Sequence, residues 1–294
     1  MAQKGVNDDR SDTVDIAYYI VAFIDILGQS KAMSEWKKLP KNEQERAEFL
    51  GVVKKSAGIY ASVNTYVDIF LNTVMNQDND SWKIIRAITG DIFENNIKRQ
   101  RFSDGFILYS SLASPGGVQA VSNVRNIILA CSAIMLTSLA AGTPIRAGVA
   151  IAPACELFKD ELYGPAIATA YTLENSCAQY PRVVVDNSVC DYLKSYQNIQ
   201  ETSVVDRFVK KLALETLACI SKDFDGYWIV DFLGDSVREI MYEANFDTKI
   251  FDKIINFTNQ QLQQHRSNKD TKLTMRYFWL KEYINSRLSS REQG

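Results

Sequence analysis

A chain of 294 residues, 46% hydrophobic and 23% charged, is long enough to bury one large core or two small ones and too apolar to be disordered. Its formal charge of −2 offers no basic excess against a phosphate backbone, which excludes sequence-independent nucleic-acid binding as the main role and leaves a small phosphorylated ligand open. Five cysteines (Cys131, Cys155, Cys177, Cys190, Cys219) stand singly in apolar segments and the one histidine, His265, lies in the polar stretch QQLQQHRSNKD, which excludes the usual His/Cys zinc site and a Ser–His or Cys–His nucleophile.

The start, MAQKGVNDDRSDTVD, is polar and acidic where a signal peptide would need an apolar run, and residues 1–16 read as a disordered head. YYIVAFIDI (18–26) is a β-branched and aromatic run of the length of a strand buried on both faces. From about 41 to 75 apolar residues fall on one helical stripe. Residues 82–97, WKIIRAITGDIFENNI, fit either a strand with its turn or a short helix. NIKRQRFSDGFILYSSL holds two strand-like arms around Ser103-Asp104-Gly105, a hairpin signal.

A helix follows over 117–141. Its segment IILACSAIMLTSLAAG falls short of the ~20 residues needed to cross a bilayer and carries polar residues throughout, so it reads as a core helix of a soluble cytoplasmic protein that has no membrane partner. PIRAGVAIAPA is a strand, and GPAIATAYTLENSCAQY a helix entered through Gly164-Pro165. RVVVDNSV is a strand, 206–221 helical, GYWIVDFL a strand and 247–287 largely helical. No repeat or linker interrupts this order. The expectation is one α+β domain over 17–234 with a helical C-terminal extension, 235–294, packed on it.

Asp25 and Asp104 each sit at a strand boundary near a glycine in apolar surroundings. An unpaired carboxylate there would cost several kcal/mol of desolvation unless a cation or donors met it. Each could instead cap a turn; two at adjacent strand ends suit a divalent ion, since Mg²⁺ takes one or two carboxylates plus phosphate oxygens. The turn Ile26-Leu27-Gly28-Gln29-Ser30 would then aim backbone N–H groups at a triphosphate.

AFIDILG resembles the F-x-D-I-x-G-F segment of class III nucleotidyl cyclases, and RFSDGFILY their I-G-D-G-F-L hairpin. PIRAGVAIA is similar to the R-I-G-I-H-T-G strand, and YGPAIATAYTLENSCA to the W-G-D-T-V-N-x-A-x-R-L-E helix, with Gly164, Ala170, Leu173 and Glu174 retained. The four matches keep family order over roughly 18–190. The resemblance implies a ferredoxin-like catalytic domain, a mainly antiparallel sheet flanked by helices. It also implies two Mn²⁺ or Mg²⁺ ions held by Asp25, Asp104 and the Ile26 carbonyl, and a homodimer with the site at the subunit interface.

Departures from the pattern point to the base. The Asn and Arg of purine cyclases that steady ribose and transition state fall on Ala168 and Thr172, and the adenine-reading pair falls on Gln100 and Glu161. The wording F-I-D-I-L-G, F-S-D-G-F and G-P-A-x-x-x-A-Y-x-L-E is most like the pyrimidine cyclases of Pycsar antiphage systems. These turn UTP or CTP into cyclic UMP or cyclic CMP for a separately encoded effector. With Thr172 uncharged, another cation should meet the developing phosphate charge. Arg182 is the first candidate, followed by Arg99, Arg146 and Lys222; Tyr171 and Tyr180 could stack on a base or sit in the core. A cyclase-like module that binds nucleotide without turnover is the alternative, and a diguanylate cyclase, whose G-G-D-E-F turn F-S-D-G-F also resembles, is the third.

Overall fold

The structure is a computed structural model; it describes residues 15–28, 38–75, 87, 96–102, 105–113, 117–243 and 249–289. Five strands build the part of the sheet that matters for the site: β1 (Ile16–Ile26), β2 (Lys98–Arg101), β3 (Gly105–Ser111), β4 (Ile145–Phe158) and β5 (Glu161–Tyr163). Three short ones, β6 (Val183–Val185), β7 (Ile220–Lys222) and β8 (Trp228–Val230), extend it. The order is β2-β3-β1-β4-β6-β8-β7, with β5 folded back on β4. Every pairing is antiparallel except β4 with β6.

Among the described residues, helix α1 (Glu43–Met75) lies between β1 and β2 in the chain, and α2 (Val118–Ala140) between β3 and β4. With β4, β1, β3 and β2 adjacent in that order, this is the βαββαβ ferredoxin-like arrangement expected from sequence. β1 begins at Ile16, two residues earlier than its aromatic run suggests.

Alternation along β1 divides the interior. Ile20, Ala22, Ile24 and Ile26 enter a large core with α2, while Tyr19, Val21 and Phe23 enter a small one on the opposite face. Helix α2 passes the length and composition test for a membrane span, yet it lies wholly inside the fold. Two of its buried hydroxyls turn back on the helix: Ser132 donates to the Ile128 carbonyl at 3.0 Å and Thr137 to the Ala133 carbonyl at 2.7 Å.

The small core is roofed by α3 (Pro165–Thr172), which continues as a π-helical turn, Leu173–Cys177. Gly148 in β4 allows this. A Cβ there would overlap the Ala170 carbonyl and lie 2.7 Å from Leu173 Cβ and 2.8 Å from the Glu174 nitrogen, so only a glycine lets the roof rest directly on the strand backbone.

Several elements differ from expectation. β4 runs on to Phe158 and returns as β5 through Asp160, whose φ is 60°. The stretch read as one strand, RVVVDNSV, stops at Val185. Asp186 then caps α4 (Asn187–Ser195) by accepting from the Ser188 N–H at 2.9 Å. Helix α5 (Val204–Ala218) opens on a Ser203/Asp206 capping box. The C-terminal region forms α6 (Asp235–Glu243), α7 (Lys249–Ser267) and α8 (Thr271–Ser289). Tyr277, Leu280, Tyr283 and Ile284 of α8 join the large core. The Tyr283 hydroxyl donates to Asp231 at 2.7 Å and accepts from the Leu233 N–H at 3.0 Å, and Arg287 Nε donates to Asp231 at 2.8 Å. His265, read as solvated, stacks half-buried on Tyr277 with centroids 5.4 Å apart.

Candidate active site

Asp25 is the penultimate residue of β1, with its side chain on the small-core face, one residue pair beyond Phe23. It faces Gly105 of β3 on one side and Arg146 of β4 on the other. Gly105 is there for packing rather than turn geometry, since a Cβ would collide with the Ile24 carbonyl oxygen. Asp104, Gln29 and Ser30 lie outside the described residues.

The Leu27 N–H donates to the Pro144 carbonyl at 2.9 Å. This corrects its expected role as a phosphate donor, because the last rung of the β1–β4 ladder already satisfies it. That rung also sets the phase of the ladder. Positions 27 and 144 are a hydrogen-bonded pair, as are 18 and 112 on the other edge of β1, where the Leu112 N–H donates to the Tyr18 carbonyl. By alternation, Ile26 turns its carbonyl away from β4, toward the β3 edge. Gly28 follows with φ 89°, a backbone state open to glycine at little cost.

Arg146 is the cation at Asp25. Its Nη2 lies 3.1 Å from Asp25 Oδ2 and 2.7 Å from Glu174 Oε1, while its Nη1 donates to the Ala178 carbonyl at 3.4 Å. The Arg146 and Glu174 side chains are 13% and 4% exposed against 24% for Asp25. The guanidinium is therefore held from the protein side by Glu174, and Asp25 is the member of the trio that meets solvent. Gly148 underlies this arrangement: by letting the π-turn settle on β4 it sets Glu174 beside Arg146, two residues earlier on the same strand face.

The three other cations named from sequence are engaged elsewhere. Arg182, the first candidate from sequence, is 1% exposed. It is clamped by Asp223, by Asp225 at 2.6 Å and 3.0 Å, and by the Cys177 carbonyl at 2.6 Å. Burial alone would lower its pKa, but the hydrogen bonds it donates to Asp225 and Asp223 raise it overall. Its role in the fold is to hold the β7–β8 turn, and it presents no charge to a ligand. Arg99 pairs with Asp68 of α1, and Lys222 lies over the Trp228 ring at 5.1 Å.

Gln100 and Glu161, paired by resemblance as a base pocket, lie on β2 and β5, which Gln100 links through the backbone of Leu162. Gln100 Oε1 accepts from the Leu162 N–H at 3.0 Å, one residue from Glu161, and Glu161 accepts from the Tyr163 hydroxyl at 2.9 Å. Of the two tyrosines, Tyr180 is core, buried with its hydroxyl on Asp223 at 2.6 Å. Tyr171 is 48% exposed and meets Phe23 edge-on at 5.2 Å, and Phe23 stacks on Phe102 at 5.6 Å. An accessible aromatic group thus borders the strand end that carries Asp25. Thr172 is exposed, its hydroxyl donating to the Ala168 carbonyl at 2.8 Å. Sequence reasoning passed over Glu174 as a site residue; its signal was an acidic residue two positions after Thr172 in a segment otherwise free of charge.

A hard divalent cation fits the donor set in kind: a part-exposed carboxylate at Asp25 and a backbone carbonyl at Ile26 on the neighbouring edge. Among the described residues no group of three acidic, His or Cys side chains gathers to hold a metal by itself, so phosphate oxygens or further carboxylates would have to complete the shell.

No family model matches this chain, and no curated protein does. Among solved structures it is similar to the adenylyl cyclase CyaB from P. aeruginosa, with a TM-score of 0.34 and 13% identity over 62% of this chain and 83% of that one. It is also similar to a bacterial light-regulated adenylyl cyclase, with a TM-score of 0.33 and 15% identity over 79% of this chain and 57% of that one. Likenesses this slight carry no argument about activity, and the functional reading rests on the residues themselves.

Proposed function

We propose that this chain is a nucleotidyl cyclase that converts a pyrimidine nucleoside triphosphate, UTP or CTP, into the 3′,5′-cyclic monophosphate and pyrophosphate. On this reading the product is a second messenger for a separate effector in antiphage defence. The observation that carries the reading is the position of Asp25: a solvent-facing carboxylate at the end of a central strand, opposite Gly105, with the Ile26 carbonyl turned to the same edge. Asp104, covalently joined to Gly105, is the second carboxylate the proposal requires.

Asp25, Ile26 and Asp104 would hold divalent ions, Mn²⁺ or Mg²⁺, which when bound supply Lewis-acid activation of the ribose 3′-hydroxyl and neutralise the triphosphate. The chain itself supplies the orientation. Glu174 retains Arg146 when Asp25 turns to a ligand, so the guanidinium stays at the strand end as a donor to phosphate oxygens. Tyr171 and Phe102 offer aromatic faces to the base, and Gln100 with Glu161 offers amide and carboxylate groups to its edge. The absence of the purine-reading set at Ala168, Thr172, Gln100 and Glu161 supports a pyrimidine. The exposed rim of Phe102, Tyr163 and Tyr171, each 37–48% accessible, supports pairing with a second copy across this face, which would complete two equivalent sites.

One observation favours a second reading, a module that binds nucleotide without turnover: Arg146 already occupies an oxygen of Asp25. Incubation with each of the four ribonucleoside triphosphates and Mn²⁺, with products resolved by mass, separates the two. A cyclic pyrimidine nucleotide lost in Asp25→Ala and Asp104→Ala supports the cyclase. Thermal stabilisation by triphosphate with no cyclic product supports the binding module, and cyclic product at wild-type rate from either variant overturns the assignment of the carboxylates.

A further inference from the structure

Asp25 and Arg146 are direct neighbours in the β1–β4 register, whose ladder runs unbroken from Ile16 to Ile26 and is pinned beyond its end by the Leu27 N–H on the Pro144 carbonyl. Side chains directly opposite on one face stand about 5 Å apart at Cβ. The backbone of Arg146 therefore stays beside Asp25, and only the guanidinium can turn. One of its nitrogens is divided between two carboxylates: Nη2 donates to Asp25 Oδ2 at 3.1 Å and lies 2.7 Å from Glu174 Oε1.

The two carboxylates are not equivalent. Glu174 is buried against the guanidinium and by itself matches its charge, whereas Asp25 is the more exposed. Together the three side chains carry a surplus of one negative charge, and it lies on the solvent side. A divalent cation drawn to that surplus meets a guanidinium already bonded to the same carboxylate, and the two positive charges repel at close range. A phosphate group removes the conflict, because it accepts from the guanidinium while Glu174 keeps its hold from the protein side.

We infer that Arg146 makes cation and triphosphate binding interdependent. In the unliganded chain it masks Asp25; once a phosphate oxygen accepts the Nη2–H that faces Asp25, the carboxylate is released to a divalent ion. The inference rests on the nucleotide reading above and goes beyond it by naming the residue that couples the two ligands. The contact between Arg146 and Asp25 is then the resting state of a working site rather than a sign of an idle one. Linkage makes the effect reciprocal: the factor by which phosphate raises cation affinity is the factor by which the cation raises phosphate affinity.

The test combines two titrations of the full chain, Mn²⁺ alone followed by electron paramagnetic resonance and inorganic tripolyphosphate alone followed by calorimetry. They compare wild type with the double variant Arg146→Met, Glu174→Gln. That pair of changes leaves the net charge of the three side chains as it was, and replacing both members of an ion pair with neutral groups of similar size is often tolerated by the fold. The double variant should bind Mn²⁺ alone roughly tenfold or more tightly than wild type, the size of an ordinary coupling, and should lose that gain when Asp25→Asn is added. It should bind tripolyphosphate several-fold more weakly. The opposite signs separate coupling from structural damage, which would weaken both. Should the double variant not fold, Asp25→Asn carries the test: with Arg146 released from Asp25, metal-free tripolyphosphate should bind several-fold more tightly than to wild type. Unchanged affinity there, Mn²⁺ binding no tighter in a folded double variant, or no tripolyphosphate binding by wild type overturns the inference. Turnover with UTP and CTP distinguishes the two levels. Opposite shifts without cyclic product in wild type remove the cyclase reading and leave the coupled site. Cyclic product in wild type, with both affinities of the double variant unchanged, does the reverse.

Discussion

Replacing Gly148 by alanine adds one methyl group at a point where the roof of the small core has no slack. The new Cβ would overlap the Ala170 carbonyl and sit 2.7 Å from Leu173 Cβ and 2.8 Å from the Glu174 nitrogen, where ordinary contact begins at 3.4 Å. Two of the three obstacles are backbone atoms and cannot rotate away. The π-turn must therefore lift by more than half an ångström, carrying Glu174 away from Arg146 and its 2.7 Å contact. Overpacking of this kind costs about 1–3 kcal/mol, which for a domain of this size lowers Tm by about 2–4 °C per kcal/mol. Gly51→Ala is the control: nothing lies within 4 Å of its Cβ, and in the interior of α1 the change should stabilise by up to about 1 kcal/mol. Thermal melts read the stability, and calorimetry with UTP or CTP reads the site. Gly148→Ala should lose nucleotide affinity along with stability. It should also add little to Glu174→Gln in a double-mutant cycle, because both act through the grip on Arg146. A Gly148→Ala protein with wild-type Tm and affinity would refute the claim that the roof rests on the strand and positions Arg146.

The remaining expectations concern the rest of the fold. Arg182→Ala should destabilise by about 3–5 kcal/mol in urea melts, because it strands the buried Asp223 carboxylate; full stability with turnover abolished would return Arg182 to the catalytic role. Burial alone would raise the pKa of Asp225, but its hydrogen bonds to Arg182 hold it below the ordinary value of 3.8. Its contribution is therefore present above that value and lost as pH falls through the lower folded one, so acid melts of Arg182→Met should lack this component. Burial pushes the Cys131 and Cys219 thiols up to about 12; a thiol reagent at neutral pH should modify neither until the protein unfolds, and fast labelling of either in the native state would contradict its burial.

Long periodic elements were legible in the sequence because their pattern and their packing coincide. The first strand, the paired arms Lys98–Arg101 and Gly105–Ser111 and the apolar helix through Ile127 and Leu136 were read from a β-branched and aromatic run, a hairpin signal and a hydrophobic run. The short elements were not. Val183–Val185 and the first residues of Asn187–Ser195 merged into one expected strand, RVVVDNSV, since three valines leave no period to read and the Asp186 carboxylate accepts from the Ser188 N–H only once the backbone has turned. β5 was missed because its sheet position depends on Asp160 adopting a left-handed conformation. At the site, Asp25 stood out as a charge in an apolar run. The link from Arg146 to Glu174 did not, because 28 residues separate them and only the close approach over Gly148 joins them. Arg182 looked available for the same reason: its partners, Asp223 and Asp225, arrive from a hairpin that the sequence does not place beside it.

The central claim is that Asp25, with Asp104, holds divalent ions against a pyrimidine nucleoside triphosphate. Electron paramagnetic resonance titration of Mn²⁺ into wild type, Asp25→Asn and Asp104→Asn, each with UTP and with CTP, tests it most directly. The account expects two nucleotide-dependent ions per site in wild type and loss of tight Mn²⁺ binding in both variants, each folded as wild type by thermal melt. Equal Mn²⁺ stoichiometry and affinity in all three proteins would contradict it.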